Sequence, residues 1–130
     1  MLPFSIQLKP GLPISEQVIF AVKKAVIAGQ MKPGDKFPSV RQMSLELRIN
    51  PNTAHKVVAA LVQEGVLQVI PGVGTLVAGP GESNPKDQAA LLDGELERLV
   101  VEAKSLGLDL GQVVEHLKKH WNRLKKENKP

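Results

Sequence analysis

Pro38-Ser39-Val40-Arg41-Gln42-Met43-Ser44-Leu45-Glu46-Leu47-Arg48-Ile49-Asn50-Pro51-Asn52-Thr53 writes out two helix starts separated by one tight turn. Ser39 with Gln42 three residues later fits a capping box, and Val40, Met43 and Leu47 behind it give a short helix one buried stripe. Asn50 caps a second helix. Pro51 stands at its first position, where the missing N–H costs nothing and the fixed φ already suits a helix. About four residues separate the two helices, the length of a helix-turn-helix connection. In the second helix Ala54, Val57, Val58 and Leu61 form the apolar stripe, and Asn52, His55, Lys56 and Ala59 fall on the opposite face. That outer face carries no acidic side chain until Glu64. Its first turn offers an amide, a hydroxyl at Thr53, an imidazole and an ammonium, groups able to donate to phosphates or base edges. An ordinary solvated helix face also looks like this, so the surrounding segments have to decide.

Downstream, Glu64-Gly65 supplies a residue suited to the left-handed C′ position. Two short β-prone runs follow, Leu67 to Ile70 and Thr75 to Ala78, around Pro71-Gly72-Val73-Gly74. A helix-turn-helix trailed by a Gly-rich hairpin is a winged helix. A nucleotide-cradling Gly-x-Gly loop would need a helix after it, and here a strand follows. Upstream, Pro13 to Gly29 is expected to form a helix with Ile14, Val18, Ala21, Val22, Ala25 and Ala28 on its buried face and Lys23 and Lys24 opposite. Gln30 to Pro38, with two prolines and a glycine, is expected to be a connecting turn, and Phe4 to Leu8 a minor edge strand or arm.

The blocks Pro13 to Gln17, Gly29 to Arg41, Asn50 to Thr53 and Gly72 to Thr75, in unbroken order within residues 4–78, resemble the successive signatures of the GntR family of bacterial transcription regulators. The Asn-Pro-Asn-Thr helix start is similar to that of its short YtrA-like branch. The resemblance implies a winged helix that binds DNA. It places Arg41 where the family has a DNA-contacting arginine, Asn52, Thr53, His55 and Lys56 where recognition-helix contacts are made, and Gly72, Val73, Gly74 and Thr75 at a wing tip entering the minor groove. With Ser39 and Asn50 at the two helix starts, these form the expected DNA-binding set. Three positions depart from the pattern. Arg48 stands where many members have glycine and must take up a left-handed conformation at a cost of about 1 kcal/mol. The wing tip is flanked by Pro71 and Val73 instead of a basic residue, and His55 is untypical at its place, which makes it a candidate for this protein's own sequence preference.

Charge agrees with this division. Residues 1–78 hold eight Lys/Arg against four Asp/Glu, residues 79–130 nine against nine, so the formal net charge of +4 belongs to the first part. Attraction to a polyanion therefore acts there, with Arg41, Lys36, Lys56 and the Lys23/Lys24 pair as candidates for phosphate contact. The 130 residues suffice for one small core and an appendage. The large second domain of the aminotransferase-like branch of the same family is therefore not expected. The absence of cysteine excludes disulfides, thiolate metal sites and a cysteine nucleophile and suits a cytoplasmic protein, and no apolar run approaches membrane-spanning length.

Residues 79–87, rich in glycine, proline and polar groups, are expected to be a linker between a winged-helix domain at 1–78 and a two-helix segment at 88–127. Ala89, Leu92, Leu96, Leu99, Ala103 and Leu106 step by 3, 4, 3, 4 and 3, a seam of the coiled-coil kind that Gly107 breaks. Asp109 with Gln112 starts a final helix whose stripe is Leu110, Val114, Leu117, Trp121 and Leu124. A hairpin of this size cannot bury both stripes alone, so a homodimer through these residues is expected, the alternative being packing back onto the winged helix. The YtrA-like resemblance implies the same use of a short tail. No catalytic constellation is expected: His55 lies on the recognition helix, and His116 and His120 stand among lysines with no buried carboxylate to orient them. These two at i, i+4 with Glu115 nearby lack a third ligand, so neither a metal nor a cofactor is expected. The sequence thus predicts a mainly α protein with a small β-wing, a dimeric repressor on an inverted-repeat operator. A winged-helix protein–protein adaptor is the alternative, and no effector pocket is legible.

Overall fold

The computed structural model describes residues 1–79 and 85–124, which fall into two compact units on either side of residue 81. In the first unit, helices α1 (Ile14–Ile27), α2 (Val40–Leu47) and α3 (Pro51–Gln63) precede an antiparallel hairpin of β1 (Leu67–Ile70) and β2 (Gly74–Val77). The second unit holds α4 (Pro85–Ala89), a π-helical turn (Ala90–Glu95), α5 (Leu96–Ser105) and α6 (Leu110–Arg123).

The helix-turn-helix forms as its sequence dictates, with one change. Ser39 Oγ accepts from Gln42 N at 3.0 Å, but the Gln42 side chain donates to Glu46 Oε2 at 2.9 Å instead of turning back, so only half of the expected capping box exists. Glu46 also receives the N-terminal amine of Met1 at 3.0 Å. The Gln42 amide first, and that amine second, hold its carboxyl below the usual 4.5. Arg48 ends α2 in the left-handed region at φ 56°, ψ 49°, the only described non-glycine residue with positive φ. This reversal turns Ile49 into the core and brings Asn50 to the start of α3, where its side chain accepts from Asn52 N at 2.8 Å.

Val18, Val22 and Ala25 of α1 meet Met43 of α2, Ala54, Val57 and Leu61 of α3, and Leu67 and Val77 of the wing in one buried cluster. Fully burying side chains of this size stabilises a fold by about 1.5–3 kcal/mol each, which fixes the helices' relative placement. Ile14, expected on the buried face of α1, is exposed at the helix's first turn, and Phe20 and Ile27 are exposed as well. The N-terminal segment forms no strand. Its backbone at Lys9 is taken up by the Gln17 side chain, which accepts from Lys9 N at 2.8 Å and donates to Lys9 O at 2.9 Å, while Phe4 stacks on Phe37 with centroids 6.1 Å apart.

The segment expected as a plain connecting turn does more than connect. Lys32, Pro33, Gly34 and Asp35 make a tight turn closed by Asp35 N to Lys32 O at 3.0 Å, with Gly34 at φ 90°, a conformation that strains residues bearing a Cβ. The chain then pairs with the far edge of β2, Lys36 opposite Leu76, through Phe37 N to Thr75 O and Val77 N to Asp35 O, both 2.8 Å.

In the second unit the helix begins at Pro85, within the expected linker, because proline at a first helical position needs no hydrogen bond. Residues 85–87 therefore belong to the helix, and 80–84 and 125–127 lie outside the described residues. The π turn at Ala90–Glu95 interrupts the expected seam, since i→i+5 bonding advances each residue by a smaller rotation than an α-helix does. Gly107 at φ 78° stops α5 as expected, with Leu108 N reaching Ala103 O at 2.9 Å and Gly107 N reaching Lys104 O at 3.1 Å. Asp109 and Gln112 form a complete capping box for α6. The two helices have no extended packed interface beyond this turn. Ala103 is buried in the corner, Val114 and Leu124 are half-buried, and the rest of both stripes is open: Leu96 40%, Leu99 45%, Leu117 49% and Trp121 78% exposed, with Leu92, Leu106 and Leu110 more than half exposed.

Candidate nucleic-acid interface

The exposed side of α3 carries Asn52, His55, Lys56 and Ala59, and none of the three polar side chains has a hydrogen-bond or ion-pair partner among the described residues. Thr53 is half-buried at the helix's flank. Asn50 spends its carbonyl oxygen on the cap and keeps its amide donors, and Ser39 likewise accepts through Oγ and keeps its O–H. Arg41 is exposed in the first turn of α2 and is unpaired among the described residues. The expected set is thus split by folding: two of its members are structural caps, and four of the others are free donors on α2 and α3.

The cations are distributed unevenly. Lys23, named above for phosphate contact, pairs with Glu64 at 2.7 Å and joins α1 to the C-terminal end of α3, away from the first turn of α3. Both ends of that pair are exposed, so its contribution to stability is about 0–1 kcal/mol. Glu46 is matched by the N-terminus. With two of the first unit's four acids so engaged, Arg41, Lys36 and Lys56 keep their charge uncompensated among the described residues.

At the wing, Ile70 pairs with Gly74, and Val73 N donates to Ile70 O at 2.9 Å. Gly72 at φ 79° and Gly74 at φ 123° have open space where a Cβ would stand, so backbone conformation, not crowding, requires glycine in this tip. Pro71 and Val73 are exposed beside them. Between wing and helices runs a cleft of about 330 Å³ lined by Lys36, Phe37, Pro38, Ser39, Val40 and Val58 together with Val73, Gly74 and Thr75. Sequence reasoning did not find this juxtaposition, because it depends on the pairing of Lys36 with β2.

Residues 14–77, the helices and wing just described, match the model of the bacterial regulatory proteins, gntR family. The HTH-type transcriptional repressor YtrA of Bacillus subtilis is 33% identical over 116 residues, which cover 87% of this chain and 89% of that protein. The chain belongs to the gntR family. Within it, the HTH-type transcriptional regulator YhcF of B. subtilis is 30% identical over 86% of this chain and 93% of its own. A solved structure from Listeria monocytogenes EGD-e, described as a transcriptional antiterminator, superposes with a TM-score of 0.84 at 27% identity, covering 93% of this chain and 91% of that one. At this level of description the protein is a DNA-binding transcription regulator of the gntR family with a winged-helix fold.

Among the described residues no three His, Asp or Glu side chains converge as a metal site would require. His120 Nδ1 accepts from the Arg123 guanidinium at 3.0 Å, one helical turn along α6. No described helix is long and apolar enough to cross a membrane.

Proposed function

We propose that the protein is a cytoplasmic repressor that binds an inverted-repeat operator as a homodimer. Residues 1–78 form the DNA-reading part, and the helices from Pro85 onward form the dimerisation part. The observation that carries the first half is the outer face of α3, where an amide, an imidazole and an ammonium stand exposed without internal partners or neighbouring acids. In a major groove these donors would meet base edges, while Arg41 and Lys56 would neutralise phosphates. The second half is supported by the open stripes of α5 and α6, whose apolar side chains exceed what scattered surface residues explain. A two-fold pair would set two recognition helices into grooves about one helical turn apart. The repressor activity named for the B. subtilis YtrA relative supports the direction of regulation.

Selection of bound genomic fragments by the full chain tests the reading. It should return a palindromic motif bound with strong salt dependence. Fragments without a shared motif, bound weakly and without salt dependence, would leave the winged helix as a protein–protein adaptor.

A further inference from the structure

Winged helices that grip DNA through the hairpin need positive charge or free donors near its tip, and this tip carries no charge: Pro71 and Val73 are apolar, Gly72 and Gly74 have no side chain, and Thr75 alone brings a hydroxyl. The charge stands elsewhere. Lys36 is held opposite Leu76 at the wing's root by the 2.8 Å bonds on either side of it, and its ammonium has no ion-pair partner among the described residues. It shares the cleft beneath the tip with two hydroxyls, Ser39, whose Oγ accepts from Gln42 N and whose O–H stays free, and Thr75, which has no side-chain hydrogen bond among the described residues. Val73, Pro38, Val40 and Val58 supply apolar walls to the same cleft. An ammonium and two hydroxyl donors above apolar walls match a nucleic-acid backbone, whose anionic oxygens need donors and whose sugar rings need apolar contact.

We propose that this cleft seats one phosphodiester of the DNA strand passing between wing and recognition helix, with Lys36 supplying the charge the wing tip lacks. The proposal deepens the operator-binding reading above and rests on it. Lys36 acts from the segment bridged to the wing instead of from the wing itself. Because the backbone on either side of Lys36 is bonded to β2, the ammonium's attachment point is tied directly to the hairpin that carries the tip. A phosphate contact of this kind is independent of base sequence, so the operator is not needed to detect it.

The test uses the full chain and a short random-sequence duplex, with binding followed by fluorescence anisotropy across a salt series. Lys36→Gln should lower the slope of log K against log salt by about 0.9 for each phosphate no longer neutralised, and Lys36→Arg should restore it. Lys32→Gln, at an exposed lysine outside the cleft, should leave it unchanged. Thr75→Val keeps a β-branched strand residue, removes one donor, and should weaken binding several-fold without altering the slope. A Lys36→Gln slope equal to that of the parent would overturn the proposal. So would stabilisation of the DNA-free chain by inorganic phosphate that is abolished in Lys36→Gln while the duplex slope stays at the parent's value, which would make the cleft a small-anion site. A parent chain with no salt-dependent duplex binding at all would instead remove the operator reading on which the proposal stands.

Discussion

The winged helix and the two C-terminal helices are written with the same kind of amphipathic pattern, yet only one of them is finished by its own residues. In residues 1–79 every major stripe meets a complement: Val18 and Val22, Met43, Val57 and Leu61 are fully buried together. In residues 85–124 the stripes are equally regular in sequence, and Trp121, Leu110 and Leu117 remain open. Helical periodicity thus specifies that a face must be covered. It does not specify by what. A complete core argues for a unit that folds alone, and an open pair of stripes argues for a unit whose stability depends on another copy.

Core truncation should separate the two regions most sharply. Leu61→Ala removes a fully buried side chain from the closed core and should cost about 2–5 kcal/mol by chemical denaturation, whatever the protein concentration. Leu96→Ala should leave the winged helix's own stability intact and instead weaken the dimer, so that the full chain dissociates at a higher protein concentration than the parent. Equal, concentration-independent losses would mean that α5 contributes to a core within a single chain.

The next effect distinguishes positions on the reading face. His55→Ala should cost about 1–3 kcal/mol on the operator and little on random duplex, because a base reader loses sequence discrimination. Arg41→Ala should weaken operator and random duplex alike and lower the salt slope, as removing a phosphate-neutralising cation does. Competition titrations on both duplexes check this, and equal losses for His55→Ala would remove it from base reading.

A smaller gain is expected at the turn. Arg48 holds φ 56°, so Arg48→Gly should raise stability by about 1 kcal/mol in thermal unfolding of residues 1–79. A loss would mean that the Arg48 side chain does more for the fold than its conformation costs.

The smallest effect is the pH dependence contributed by Glu46. Folding lowers its carboxyl pKa through the Gln42 amide and the N-terminal amine, so its contribution to stability is present above the unfolded carboxyl range and is lost as pH falls through the lowered value. Glu46→Gln should therefore lower the melting temperature slightly at about pH 7 and not at about pH 3.

What the sequence revealed and concealed follows the range of the interactions involved. Ser39, Asn50, Pro51 and Asp109 act on backbone groups within three residues, and their caps stand where local pattern places them. The left-handed Arg48 was likewise expected, from the resemblance to a family in which many members have glycine there. Pairings across the chain were not. Lys36 meets Leu76 across about half the domain, Lys23 finds Glu64, and the Gln17 side chain replaces a strand partner for Lys9. Gln42 has two suitable partners within reach, the Ser39 N–H as a donor to its side-chain oxygen and the Glu46 carboxylate as an acceptor for its amide, and the sequence cannot rank the second above the first. The π turn was hidden as well, since a seam with 3–4 steps continues through it on paper. The candidate site divides in the same way: residues on α3 were legible from helical phase, whereas the cleft beneath the wing required the nonlocal pairing.

Sedimentation equilibrium on the full chain and on residues 1–79, each followed by titration on a duplex carrying two half-sites, tests the central claim most directly. The account predicts a full-length dimer and a folded, monomeric truncation whose affinity is lower by roughly 10²-fold or more, because a dimer holds its second reader at high effective concentration. A full-length monomer, or a truncation that binds as tightly as the parent, would contradict it.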